Sequence, residues 1–195
     1  MNTPTIKTER LILRKFTNED LDAIFLIFSD EEVNRFLPWF PLKSMEDAKT
    51  FYEEHFLNNY LTKKGYNYAV CLKTENIPVG YVNVEPEDSY ELGYGLRKEF
   101  WHQGIATEAC KAVFNQLKTD NVPYVTATHD VNNIPSGKLI QKLGMQYHYS
   151  YEEHWQPKDI SVVFRMYQIN LNGQKNRVYL KYQNNALSCF VEENI

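Results

Sequence analysis

Between Phe100 and Ala109 the chain reads Phe-Trp-His-Gln-Gly-Ile-Ala-Thr-Glu-Ala. A strand-like stretch, Glu91–Leu96, precedes this run, and a helix-like stretch ending near Lys118 follows it. The first turn of a helix carries backbone N–H groups with no intrahelical partner, and the helix dipole adds positive potential there. Together they form a site for an anion, most often a phosphate. Gly104 and Ala106 let a ligand come close to the backbone. The chemistry implied is the binding of a phosphate-bearing cofactor. Taken alone, the same turn also reads as nothing more than the start of a helix. No Walker lysine follows the glycine and no G-x-G-x-x-G pattern is present, which ranks a nucleotide-binding protein last.

The elements around this turn follow from hydrophobic periodicity and capping residues. Thr8–Phe16 reads as a first strand with Leu11, Leu13 and Phe16 inward. Thr17 caps a helix whose apolar face is Leu21, Ile24, Phe25, Ile27 and Phe28. Phe36–Pro41 is an aromatic loop broken by two prolines. Ser44 caps a second helix running to about Leu61, with Asp47 at the capping-box spacing. Strands follow at about Asn67–Leu72, Val79–Val84 and Tyr90–Leu96, joined by short Pro- and Gly-containing turns into an antiparallel meander. A further strand is predicted at Pro123–Thr128. Asn133-Ile134-Pro135-Ser136 opens a helix that ends before Gly144. The last two strands fall at Met145–Tyr151 and Val162–Ile169. Beyond them Leu171–Arg177 reads as a linker and Val178–Tyr182 as either an edge strand or part of a disordered tail.

Composition bounds the class. The 195 residues suffice for one domain with a real core. The net charge of −4 argues against non-specific nucleic-acid binding. Fourteen Tyr and eleven Phe point to a β-rich core or an aromatic-lined cleft. Cys71, Cys110 and Cys189 have no metal-ligand or disulfide spacing, so no metal site is expected and a reducing cytoplasm fits. No apolar run approaches the roughly 20 residues a membrane helix needs.

Several motifs, in order, carry a resemblance: Glu91-Leu-Gly-Tyr-Gly95 with a bulge-like Gly93-Tyr94-Gly95, the turn containing Gln103-Gly104-Ile105-Ala106, Asn133-x-x-Ser136, and Lys142-Leu143-Gly144-Met145. The chain resembles the GNAT superfamily of N-acetyltransferases over about residues 6–170. More narrowly it is similar to the branch containing the ribosomal-protein alanine and serine N-terminal acetyltransferases, whose first strand Thr8–Arg14 also resembles. Two departures stand out. The Arg or Gln that the superfamily places three residues before the turn glycine is Trp101 here, as is common in the branch. The tyrosine that many members use as general acid falls at Ile140.

The resemblance implies an α/β fold with a mixed, mostly antiparallel sheet flanked by helices, followed by a C-terminal extension at 171–195. It implies acetyl-CoA as cosubstrate and an amine acceptor, either a protein N-terminus or a small molecule such as a polyamine, amino acid or aminoglycoside. No nucleic-acid or membrane partner is expected, and the protein would act as a monomer or homodimer. Backbone N–H groups of His102, Gln103, Gly104, Ile105, Ala106 and Thr107 would hold the pyrophosphate. Tyr94, Gly95 and Leu96 would pair with the pantetheine arm where the sheet splays, and Asn133 would contact that arm. Arg97, Lys98 or Lys138 would meet the outer phosphate. Glu91 is the candidate base that takes the amine proton, against a reading as an ion-paired or solvated carboxylate. Ser136 is the candidate partner of the leaving sulfur, against a reading as the helix residue that bonds the Asn133 cap. Glu153 is a second base candidate, against a reading as part of a solvated loop with Glu152 and His154. His129 reads as a polar strand end. Trp39, Phe40, Tyr52, Tyr60 and Trp155 read mostly as packing, and otherwise as an aromatic wall for a cationic amine. A non-catalytic CoA-binding module on the same scaffold is the competing class.

Overall fold

The computed structural model describes residues 3–174, 176–193 and 195. In chain order they form β1 (Ile6–Lys7), β2 (Leu11–Arg14), α1 (Leu21–Phe28), α2 (Met45–Phe51), α3 (Asn58–Thr62), β3 (Tyr66–Leu72), β4 (Pro78–Val84) and β5 (Leu92–Leu96). These are followed by α4 (Ile105–Thr119), β6 (Tyr124–Asp130), α5 (Ile134–Lys142), β7 (Gln146–Trp155), β8 (Ile160–Asn170), α6 (Lys181–Asn184) and β9 (Ser188–Phe190). Strands β1 to β5 make one antiparallel sheet in sequential order, and the second sheet runs β6-β8-β7-β9. Among the described residues one isolated parallel bridge, Glu91 to Thr126, joins the two sheets.

Capping chemistry sets the helix starts. Thr17 and Asp20 form a capping box before α1. Ser44 accepts from the Asp47 amide at 3.1 Å while Asp47 Oδ2 accepts from the Ser44 amide at 3.0 Å, fixing the start of α2. The second helix then passes through a π-helical stretch, Tyr52–Leu57, into α3.

The alternation of β3 divides the core. Tyr68 and Val70 face α4 together with Leu11, Leu13, Val113 and Leu117. Ala69 and Cys71 face α1 and α2 with Phe16, Ile24, Phe28 and Phe56. Covered on both sides, β3 reads as an apolar run from Tyr68 to Leu72.

Four sequence expectations need correction. The first strand is broken: the Thr8–Arg10 turn separates β1 from β2, which pair with each other through Ile6–Leu13 and Lys7–Ile12. No bulge occurs at Gly93–Gly95, where β5 runs in regular register with β4. Gly95 instead makes room for Tyr81, whose Cε1 lies 2.6 Å from where a Cβ would stand. Strand β7 continues to Trp155, so Glu152, Glu153 and His154 pair with β8 and do not lie in a loop. Val178–Tyr182 is not a strand. The short helix α6 starts at Lys181, and the edge strand comes later as β9, which pairs with β7.

Candidate active site

The turn before α4 leaves backbone amides without side-chain partners. Gly104 is the N-cap of α4 at φ +76°, a left-handed conformation that favours glycine. No side chain caps this helix end. The acid of its first turn, Glu108, is held away: Oε1 accepts from Thr8 Oγ1 at 2.5 Å and from the Arg10 amide at 3.1 Å, and Oε2 from Arg10 Nε at 2.7 Å. The amides of Ile105, Ala106 and Thr107 therefore start the helix with neither an intrahelical partner nor a capping side chain. Arg10 also donates to the Gln103 carbonyl at 3.0 Å, which brings a guanidinium beside the turn. The cations named from sequence are engaged elsewhere or exposed. Arg97 pairs with Glu99, Lys98 with Asp30 at 3.1 Å and Glu32 at 3.3 Å, and Lys138 is exposed on α5.

A gap opens beside this turn because β5 and β6 part after the Glu91–Thr126 bridge. Toward β4, the Glu91 carbonyl accepts from the Glu85 amide at 3.0 Å and the Arg97 amide donates to Val79 at 2.9 Å. Antiparallel alternation then turns the backbone groups of Gly93 and Gly95 toward β4, and those of Leu92, Tyr94 and Leu96 toward the gap. The Leu96 carbonyl already accepts from Trp101 Nε1 at 2.7 Å. The Tyr94 side chain reaches α5, with Oη 2.7 Å from Ser136 Oγ and donating to the Ser136 carbonyl at 3.1 Å. Burial raises the Tyr94 phenol, which stays neutral. Asn133 Oδ1 accepts from the Ser136 amide at 3.3 Å, so Ser136 is both the residue that bonds the cap and the owner of a hydroxyl beside Tyr94.

Glu91 stands where the two sheets separate. Its Oε1 accepts from Thr128 Oγ1 at 2.5 Å and its Oε2 from Tyr182 Oη at 2.7 Å. Burial pushes its carboxyl above the ordinary carboxylate range; the two hydroxyl donors oppose that shift and the negative Glu153 adds to it. Glu153 shares this face from β7, where Trp155 Nε1 donates to its Oε2 at 3.3 Å. Glu85, also raised by burial, lies at the end of β4 with Asn83 donating to it at 2.7 Å.

The remaining candidates belong to the frame. His129 is 4% exposed, its Nδ1 sits 2.8 Å from the Asp130 carbonyl, and burial lowers its pKa. Tyr52 and Phe56 are core residues, with Trp39 and Tyr60 packed against them. Trp155 packs on Phe164 at 4.9 Å between ring centroids, while Phe40 is exposed. Among the described residues no cluster of His, Cys, Asp or Glu is arranged to hold a metal ion, and no helix is long and apolar enough to cross a membrane.

Comparison with known proteins matches this arrangement to a family. Residues 10–146 match the acetyltransferase (GNAT) domain. The chain is 29% identical over 145 residues to the uncharacterized N-acetyltransferase YnaD of Bacillus subtilis (strain 168), covering 72% of this chain and 82% of that protein. Its fold is similar to the crystal structure of a GNAT-family acetyltransferase from Bacillus anthracis, with a TM-score of 0.75 and 26% identity over 86% of this chain and 99% of that one. A Salmonella typhimurium acetyl transferase that modifies the N-terminal serine of the 50S ribosomal subunit protein L7/L12 has the same fold, with a TM-score of 0.74 and 15% identity over 86% of this chain and 99% of that one. With residues 10–146 matched to its domain, the chain belongs to the GNAT acetyltransferase family and is an acetyl-CoA-dependent N-acetyltransferase.

Proposed function

We propose that this enzyme acetylates the N-terminal amine of a polypeptide by direct attack in a ternary complex, with Glu91 as the base. The supporting observation is the placement of Glu91. A carboxyl group raised by burial stands where β5 and β6 part, on the face that also carries Thr128 and Glu153. Acetyl-CoA supplies an acetyl group activated as a thioester. The amides from His102 to Thr107, the last three of them the uncapped start of α4, hold its pyrophosphate, with Arg10 adding positive charge beside them. The gap-facing backbone of Tyr94 and Leu96, flanking Gly95, pairs with the pantetheine arm, and Asn133 contacts it from the start of α5. Glu91 takes the proton of the incoming ammonium, and Glu153 draws the cationic acceptor to the cleft. Ser136 Oγ accepts from Tyr94 Oη, which shares its proton with the Ser136 carbonyl, so the seryl hydroxyl keeps its own proton to donate to the departing sulfur. The catalytic unit spans residues 6–170 with 171–195 as an extension, and it works in the cytoplasm as a monomer or homodimer.

The choice of a polypeptide acceptor draws on the fold shared with the enzyme that modifies an N-terminal serine. The test is incubation with acetyl-CoA and a hexapeptide beginning with serine, read by mass spectrometry. A single acetyl group on the α-amine is expected. Acetylation of spermidine or free amino acids in its place would move the enzyme to the small-amine class.

Ser136→Ala is expected to lower kcat roughly 10- to 100-fold while leaving the calorimetric affinity for acetyl-CoA near wild type, because the lost hydrogen bond serves the leaving group. An unchanged kcat would return Ser136 to the role of a helix-cap partner.

A further inference from the structure

The extension after β8 lies outside the residues matched by the GNAT domain, yet it is fastened to the catalytic face along its length. The Tyr179 amide donates to Gln168 Oε1 at 2.8 Å, and the Tyr149 phenol donates to the Tyr179 carbonyl at 2.8 Å. Tyr179 Oη donates to Asp88 at 3.2 Å, and Lys181 pairs with the same carboxylate. Further on, the Leu187 amide donates to the Glu152 carbonyl at 2.8 Å and β9 adds to the edge of β7. Arg165 pairs with Glu192 at 2.5 Å. Val178, Tyr179, Tyr182 and Ala186 thereby cover the apolar face made by Tyr149, Tyr151, Val162, Phe164 and Met166.

One side chain of this strap goes further than covering a sheet. The Tyr182 ring lies parallel on Tyr151, with centroids 5.5 Å apart and 1° between planes. The stack aims Oη at Glu91 Oε2, 2.7 Å away, and Thr126 Oγ1 lies 3.1 Å from that Tyr182 Oη. Thr128 holds the other carboxylate oxygen from β6. A carboxylate clamped on both oxygens by donors from two different elements has one orientation, and its remaining lone pairs are left for the proton it must take.

We propose that the C-terminal extension completes the acceptor side of the active site through Tyr182, a positioning residue that holds the Glu91 carboxylate. The proposal rests on Glu91 being the base. The titratable groups facing Glu91 are Tyr149, Tyr151 and Glu153 from β7, Glu85 at the end of β4, and Tyr179 and Tyr182 from the extension. Of these, Tyr182 donates directly to the carboxylate, so it favours the ionised form that accepts a proton.

The test uses the full chain and the Tyr182→Phe variant, which keeps the ring stack and removes the donor. Thiol release from acetyl-CoA with the seryl hexapeptide is measured against pH, and the Glu91 side-chain carboxyl is titrated by carbon NMR, assigned through its loss in Glu91→Gln. Tyr182→Phe is expected to lower kcat/KM roughly tenfold at neutral pH. Its acid limb and the NMR midpoint of Glu91 should both move to higher pH, with a thermal melt close to wild type. Limb and midpoint at their wild-type positions would overturn the proposal, even if the rate fell. Full activity of Glu91→Gln would instead overturn the base assignment, and the proposal with it. If the hexapeptide is not a substrate, the NMR midpoint alone decides whether Tyr182 holds the carboxylate.

Discussion

Glu91→Gln is expected to lower kcat/KM for amine acetylation by roughly 10²- to 10⁴-fold, the range a positioned base contributes, while the affinity for acetyl-CoA stays unchanged. The two effects separate because Glu91 is held by Thr128 and Tyr182 where the sheets part, whereas the amides proposed to hold the pyrophosphate lie at the start of α4. The pH dependence carries a definite sign. Burial raises the carboxyl, so wild-type activity climbs as Glu91 loses its proton above the ordinary carboxylate range, and the glutamine variant lacks that limb. Stability runs the other way. A raised carboxyl binds its proton more tightly in the folded state, so stability is lost as pH rises from the unfolded carboxylate value through the folded one. Glutamine escapes that loss, and its melting temperature relative to wild type should rise across the same window. A variant with wild-type kcat/KM would remove Glu91 from the chemistry and make Glu153, on the same face, the carboxylate to test.

What the sequence revealed and what it hid divide by distance along the chain. The strand at Asn67–Leu72, the Thr17 cap, the capping-box spacing of Ser44 and Asp47, the Asn133 cap and the Gly104 turn are local patterns. Each is present in the structure because propensity and packing point the same way there. The partners of the site residues are not local. Arg10 meets Glu108 across 98 residues, Thr128 meets Glu91 across 37, and Tyr182 meets Glu91 across 91. No window of periodicity contains those pairs. By sequence Arg10 is an ordinary strand residue, and only the packing of the β1–β2 turn against α4 brings it beside the Gly104 turn. The polar run Glu152–His154 has the composition of a solvated loop, whereas its backbone is paired to β8 on one side and partly to β9 on the other. In the extension, the apolar and aromatic residues of Val178–Tyr182 fit a strand by composition. Asp88 and Glu91 instead draw Tyr179 and Tyr182 onto the site, and the edge of β7 is covered by β9.

Gly104→Val is expected to abolish measurable acetyl-CoA binding at concentrations that saturate the wild type, a loss of at least tenfold in affinity, and to lower stability as well. The residue sits at φ +76°, where an L side chain costs about 1–2 kcal/mol and a β-branched one fits worst. In a chain of this length each kcal/mol moves Tm by about 2–4 °C. Stability alone therefore cannot identify a binding turn, and a matched substitution is needed. Gly144 provides it: it lies at φ +84° just after α5, and a Cβ there would meet nothing within 4 Å. Gly144→Val should show a similar thermal loss with acetyl-CoA affinity intact. A Cβ at Gly104 has room as well, the nearest atom being Arg10 Nη2 at 3.6 Å, so a clash of that carbon within the protein does not account for a loss of affinity there. That loss comes from side-chain bulk at the place where an anion must approach the amides of Ile105–Thr107, and from the turn shifting to relieve its φ. Equal acetyl-CoA affinity in the two valine variants would show that the Gly104 turn only starts a helix, and would place the pyrophosphate elsewhere.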